Sequence, residues 1–166
     1  VNKSLVFILA LMLSLFVEST FALEINFKDG VAKDSIALGT SDLVNVAVET
    51  IEPTNDYAHS KAYMWGGDET SPPKKIIKAI TVFRNGQNFF IPLSAYADLG
   101  NPSKISLLKL PAHGFRLLIS GGDAAGSYSA MLDFKSNEIS RRRVVSGEFP
   151  EEVWEETTFS FNHLNY

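Results

Sequence analysis

The stretch IIKAITVFRNGQNFFIPL, Ile76 to Leu93, decides the fold class. Its first half, Ile76 to Phe83, is apolar and β-branched. Asn85-Gly86 interrupts it, and Phe89 to Leu93 resumes the apolar run. Asn and Gly accept positive φ at both central positions of a two-residue type I′ turn, whose twist suits the flanking strands. A turn there pairs Val82 with Phe89 and Ile80 with Ile91, which puts all four side chains on one face. Turn chemistry and apolar pattern agree independently, so the segment reads as an antiparallel hairpin of defined register. Pro92 cannot donate to a ladder and marks a strand end or an edge.

Working outward, the same grammar recurs. Leu43 to Thr50 alternates, with Val44, Val46 and Val48 on one face and Asn45 and Glu49 on the other, which is the period of a half-buried strand. Leu23 to Phe27 reads as a first strand and Lys61 to Trp65 as a short aromatic one. Ile105 to Leu110 and Phe115 to Ser120 flank a turn at Pro111 to Gly114. Tyr128 to Phe134 and Ile139 to Val145 flank Lys135 to Glu138, and Val153 to Phe161 closes the chain. Between them, Ser94 to Leu99 reads as a short helix. Ser94 would cap it, Gly100 would take the left-handed position beyond its end, and Pro102 would stop it. Short strands at close spacing with one helix (about 94–99) predict a mostly β fold, an antiparallel β-sandwich or a partly open barrel.

The amino terminus predicts export. Lys3 precedes an apolar run from Leu5 to Val17, and Thr20-Phe21-Ala22 offers small residues for cleavage. This is the layout of a bacterial-type signal peptide, and the run is shorter than the ~20 residues a membrane-spanning helix needs. Residues 1–22 are therefore expected to be removed and 23–166 to form one domain, periplasmic or secreted, with no membrane anchor left. The chain has no cysteine, so this domain must be held by its core without disulfides. Residues 1–22 carry one base and one acid, so the net charge of −4 is unchanged by cleavage. A mildly acidic chain gives nucleic acid no basic patch to bind.

Motifs for catalysis and metal binding are missing from the sequence. His59, His113 and His163 lie at no metal-ligand spacing from one another, and the lack of cysteine removes the common structural zinc sites. There is no Gly-x-Ser-x-Gly elbow around a nucleophilic serine. The Gly121 to Gly126 loop has neither the Lys-Ser/Thr of a P-loop nor a helix after it. No catalytic residue, metal or cofactor is expected.

Arg141-Arg142-Arg143 is the most unusual feature. Pairing Phe134 with Ile139 puts Arg141 opposite Leu132 and Arg143 opposite Ala130. Both arginines then share the core face of Tyr128, Leu132 and Phe134, where two charges cannot simply be buried. Three outcomes resolve the conflict. A β-bulge turns the arginines outward; their stems cover the sheet while the heads reach water or the acidic segment Glu148 to Glu156; or the face is an open groove for an anion or acidic partner. Arg141 and Arg143 are accordingly candidate binding residues. Trp65, at the end of the aromatic strand beside Gly66-Gly67, Asp68 in the Gly66 to Pro73 loop, and Asp123 join them.

These observations favour a non-enzymatic binding protein that engages a protein partner in the cell envelope, in an inhibitor, immunity-type or accessory role. Two alternatives remain. A small envelope-acting hydrolase would use Asp68, Glu69 or Asp123, and a glycan-binding module would need an exposed row of aromatics.

Overall fold

The computed structural model describes residues 23–54 and 72–161. The expected signal peptide, the strand at Lys61 to Trp65 and the loop holding Trp65 and Asp68 lie outside them. Among the described residues the chain forms ten strands: β1 (Ile25–Asn26), β2 (Val31–Gly39), β3 (Asp42–Ile51), β4 (Ile76–Arg84), β5 (Gln87–Asn88), β6 (Pro102–Leu110), β7 (Gly114–Gly121), β8 (Tyr128–Lys135), β9 (Glu138–Ser146) and β10 (Val153–Thr158). They build two antiparallel sheets, ordered β1-β6-β7-β8-β9-β10 and β2-β3-β4-β5. The sheets remain separate, so the architecture is a sandwich and not a barrel.

The Asn85-Gly86 turn forms in the expected register. Phe83 pairs with Asn88 and Arg84 with Gln87, and the Phe89 N–H donates to the Val82 carbonyl at 3.0 Å. Asn85 has φ 49° and Gly86 φ 88°, as a type I′ turn requires. Ile80, Val82 and Phe89 are all buried. The returning strand stops at Asn88, because Phe89 to Pro92 leave the ladder to cross the flank of the sandwich.

Three readings need correction. The stretch expected as a helix over 94–99 is a single 3-10 turn at Leu93–Ala95, entered from Pro92 with no side-chain cap. Asn101, with φ 47°, takes the left-handed position expected of Gly100. The returning strand expected over Phe89 to Leu93 is only the pair Gln87–Asn88, so Ile91 does not pair with Ile80, and β2 is a strand that the sequence reading does not contain. In β2 the inward positions are Ala32, Asp34, Ile36 and Leu38, and the charge at Asp34 breaks the alternation that marks a strand in sequence. That inward acid has a use: β2 is an edge strand, and a charge pointing into the sandwich discourages edge-to-edge pairing.

The inner faces meet in one core. Phe115 and Phe134, directly opposite across β7 and β8, stack with centroids 4.6 Å apart, and Phe89, just past the end of β5, tilts against both. Burying each such side chain is worth about 1.5–3 kcal/mol. Tyr128 packs across Gly121, where a Cβ would come within 2.5 Å of the phenol oxygen; the Tyr128 hydroxyl, so placed, donates to the Gly100 carbonyl at 3.0 Å. Burial pushes this phenol far above its ordinary pKa, aided by Asp98. At the far end, Arg84 makes a two-pronged bond to Asp42, at 2.7 and 2.6 Å, and reaches Asn137 in the β8–β9 turn at 3.3 Å. One guanidinium thereby ties the two sheets together.

Candidate functional site

The arginine run sits on β9, and a β-bulge decides where each arginine points. Phe134 pairs with Ile139 as expected, but the register then shifts: Asp133 faces Arg141, Leu132 faces Arg142, Met131 faces Arg143 and Ala130 faces Val144. The extra residue is Ser140, whose hydroxyl donates to the Asp133 carbonyl at 3.1 Å. The expected pairs Arg141–Leu132 and Arg143–Ala130 are thus corrected. A continuous ladder would have buried two unpartnered guanidinium groups, and the bulge sends both outward at the cost of one ladder step.

Outward, the charges satisfy one another. Arg116 on β7 and Arg141 on β9 stand directly across from Asp133 on β8. Arg116 donates to the Asp133 carboxylate at 2.6 and 3.0 Å, and Arg141 donates at 3.1 and 2.9 Å. Burial works to raise the Asp133 pKa, but the two arginines overcome it and hold the carboxyl below the usual carboxylate range. In the next row, Arg143 lies 3.6 Å from Glu156 of β10. Asp133 therefore holds the head of Arg141 by hydrogen bonds, while Glu156 faces Arg143 by charge alone and leaves its Nε without a hydrogen bond, in a ladder that spans four strands.

Inward, the bulge creates a feature the sequence reading missed. Arg142 points into the sandwich with only 2% of its side chain exposed. It donates to Asp98 at 2.6 Å and to Glu155 of β10, and the Thr157 hydroxyl also donates to Glu155, at 2.9 Å. Asp98 belongs to the segment that crosses between the sheets. Arg142 consequently joins the crossing segment, β9 and the edge strand β10. In the folded strand Ile139 and Val144 are both buried although five residues apart, a spacing that only a bulge lets one face hold.

The other candidates fare differently. Trp65 and Asp68 lie outside the described residues, as do Glu69, His59 and His163. Asp123 is exposed, just before a second 3-10 turn at Ala124–Gly126. It edges an open depression of about 290 Å³ shared with Lys74, Lys75 and Asn101. Asn101 organises that corner: its side-chain oxygen accepts the Lys74 and Lys75 N–H groups at 2.8 and 3.2 Å. His113 is exposed in the β6–β7 turn. Among the described residues no group of three His, Cys, Asp or Glu is placed to hold a metal ion.

Two surfaces remain open. On the flank, Phe90 is 71% exposed and Leu93 66% exposed, and Phe90 meets Phe161 edge-on at 5.9 Å, with Phe159 stacked behind it. On the outer face of the four-stranded sheet, Lys33, Ala47 and Thr81 form one cross-strand row, and Ser35, Asn45 and Phe83 the next. These rows enclose a shallow depression of about 470 Å³.

No protein-family model matches this chain, and neither a curated protein nor a solved structure matches it. Its function must therefore be argued from these surfaces.

Proposed function

We propose that this chain is a non-enzymatic binding protein, exported to the periplasm or medium, that docks a protein partner on its aromatic flank. The observation that carries the reading is the pair of large side chains left in water at Phe90 and Leu93, three residues apart on the segment that crosses the flank. Keeping such groups exposed forgoes burial worth about 1.5–3 kcal/mol each, and clustered aromatic side chains are what protein interfaces use as anchors. Phe159 and Phe161 extend the patch onto the tail of β10. The export half of the reading rests on the charged, apolar and small-residue order of residues 3–22.

The reading also explains why the arginine run is a poor docking surface. Arg141 and Arg143 already face carboxylates, so a partner would have to displace Asp133 or Glu156 before using them. Asp123, together with Trp65 and Asp68 outside the described residues, remains a candidate for the rim of an interface.

The test is an affinity capture from the envelope fraction of the native organism, comparing the tagged exported chain with its Phe90→Ser/Leu93→Ser variant. One protein enriched at near-equal stoichiometry by the parent and lost with the variant is the expected result. An unchanged capture profile, or none from the parent, would contradict the docking surface.

A further inference from the structure

We propose that the outer face of the four-stranded sheet is a carbohydrate-binding saucer, centred on Ala47, that takes a neutral pyranose unit of a glycan. This site is separate from the aromatic flank and does not depend on it.

The placement follows from register. Ala47 lies in the middle of β3, with Lys33 directly opposite on β2 and Thr81 directly opposite on β4. Two residues along, Asn45 has Ser35 and Phe83 as its neighbours in the same way. A methyl group among longer side chains leaves a floor, and the surrounding residues make a rim. The hollow, about 470 Å³, lies within the range of small-ligand sites, roughly 300–1,000 Å³. Phe83 is 40% exposed, which gives the rim one aromatic wall.

The chemistry of this rim fits a sugar ring better than other ligands. A pyranose presents an apolar face of C–H groups, which seats against an aromatic ring. Its hydroxyl groups each donate and accept. Ser, Thr and Asn side chains do both as well, so they can follow such a ligand around its edge. Lys33, Asn45 and Thr81 are exposed and spend no side-chain hydrogen bond on another described residue. Lys33 is the one outward charged side chain at the depression, since Asp34 lines it from the strand while its side chain points into the sandwich, and a lone ammonium is a weak anchor for an ionic ligand. An anion would call for clustered guanidinium groups, and a protein hot spot would call for a larger dry aromatic pocket.

Native gels cast with dissolved hydroxyethyl cellulose, starch, xylan or galactomannan test the proposal, with the exported protein as the sample. Retardation is expected in at least one gel. Phe83→Ala and Ala47→Phe should each weaken it at least tenfold, the first by removing the wall and the second by filling the floor. Phe83→Trp should retain it, and Phe90→Ser should leave it unchanged, which separates this site from the flank. Both disabling changes sit on an exposed face, and an unaltered thermal midpoint confirms that the variants fold; Asn45→Ala serves as the second disabling variant if one does not. No retardation in any of the four gels would overturn the proposal, as would retardation that survives either disabling change.

Discussion

On the outer face of the six-stranded sheet, Asp133 is gripped by Arg116 and Arg141, and Arg143 lies against Glu156. On the outer face of the four-stranded sheet, Lys33, Asn45 and Thr81 stand side by side without a bond among them. Both faces are built on antiparallel ladders with polar side chains at alternate positions. One uses those side chains to fasten its strands, and the other leaves them to water. A face whose polar groups satisfy each other has little left for a ligand. The conspicuous arginine run is therefore a structural fastening, and the plainer sheet is the one with polar groups free for a ligand.

The largest effect should come from Arg142, which belongs to the fastening side but points inward. Arg142→Ala leaves Asp98 and Glu155 without their shared cation at the core edge. Removing one member of a buried ion pair costs about 3–5 kcal/mol, and the partial exposure of the two acids, 25% and 32%, puts the loss near ~3 kcal/mol in urea unfolding. A loss under 1 kcal/mol would show that the network does not hold β10.

A smaller loss, about 2 kcal/mol, is expected for Asp133→Asn, since Arg116 and Arg141 keep partial access to water. This site also predicts a pH dependence. The folded Asp133 carboxyl titrates below its ordinary value, so its contribution is complete above the unfolded pKa of about 3.9 and is lost as pH falls through the folded one. The stability gap between parent and Asp133→Asn should be constant at neutral pH and close below pH ~4. A gap that persists unchanged in acid would remove Asp133 from the fastening ladder.

The smallest effects belong to the other face. Asn45→Ala and Thr81→Ala should each change stability by less than ~0.5 kcal/mol, as exposed positions without partners do. A loss above 1 kcal/mol at either would mean that this sheet also depends on its outer polar side chains, and the contrast would fail.

Much of this was legible in the sequence because two signals coincided. At Asn85-Gly86 the turn residues and the apolar alternation specify the same register, and the hairpin forms in that register. The valines of β3 likewise alternate cleanly, and all three are buried. The failures occurred where one signal was silent or doubled. Asp34 interrupts the alternation of β2, so the strand was not seen. Ser94 and Gly100 resemble helix punctuation, yet only five residues lie between them, too few for a stable helix, and the segment forms a single 3-10 turn. The candidate site shows the subtlest case. Val144-Val145 suits either phase of β9, so apolar pattern alone does not reveal the bulge. The charges choose between the phases: the shifted register sets Asp133 against Arg141 and leaves one arginine inside where two would have been buried. Sequence reading that pairs strands by apolar residues alone therefore selected Arg141 and Arg143 and passed over Arg142.

The bulge at Ser140 is the hinge of this account, and solvent exchange of the arginine side-chain protons measured by NMR tests it most directly. Arg142, 2% exposed and bonded to two carboxylates, should show guanidinium protons exchanging at least tenfold more slowly than those of Arg143, which is 35% exposed. Protected Arg141 and Arg143 protons beside a freely exchanging Arg142 would mean a continuous ladder, with the arginine run turned the other way.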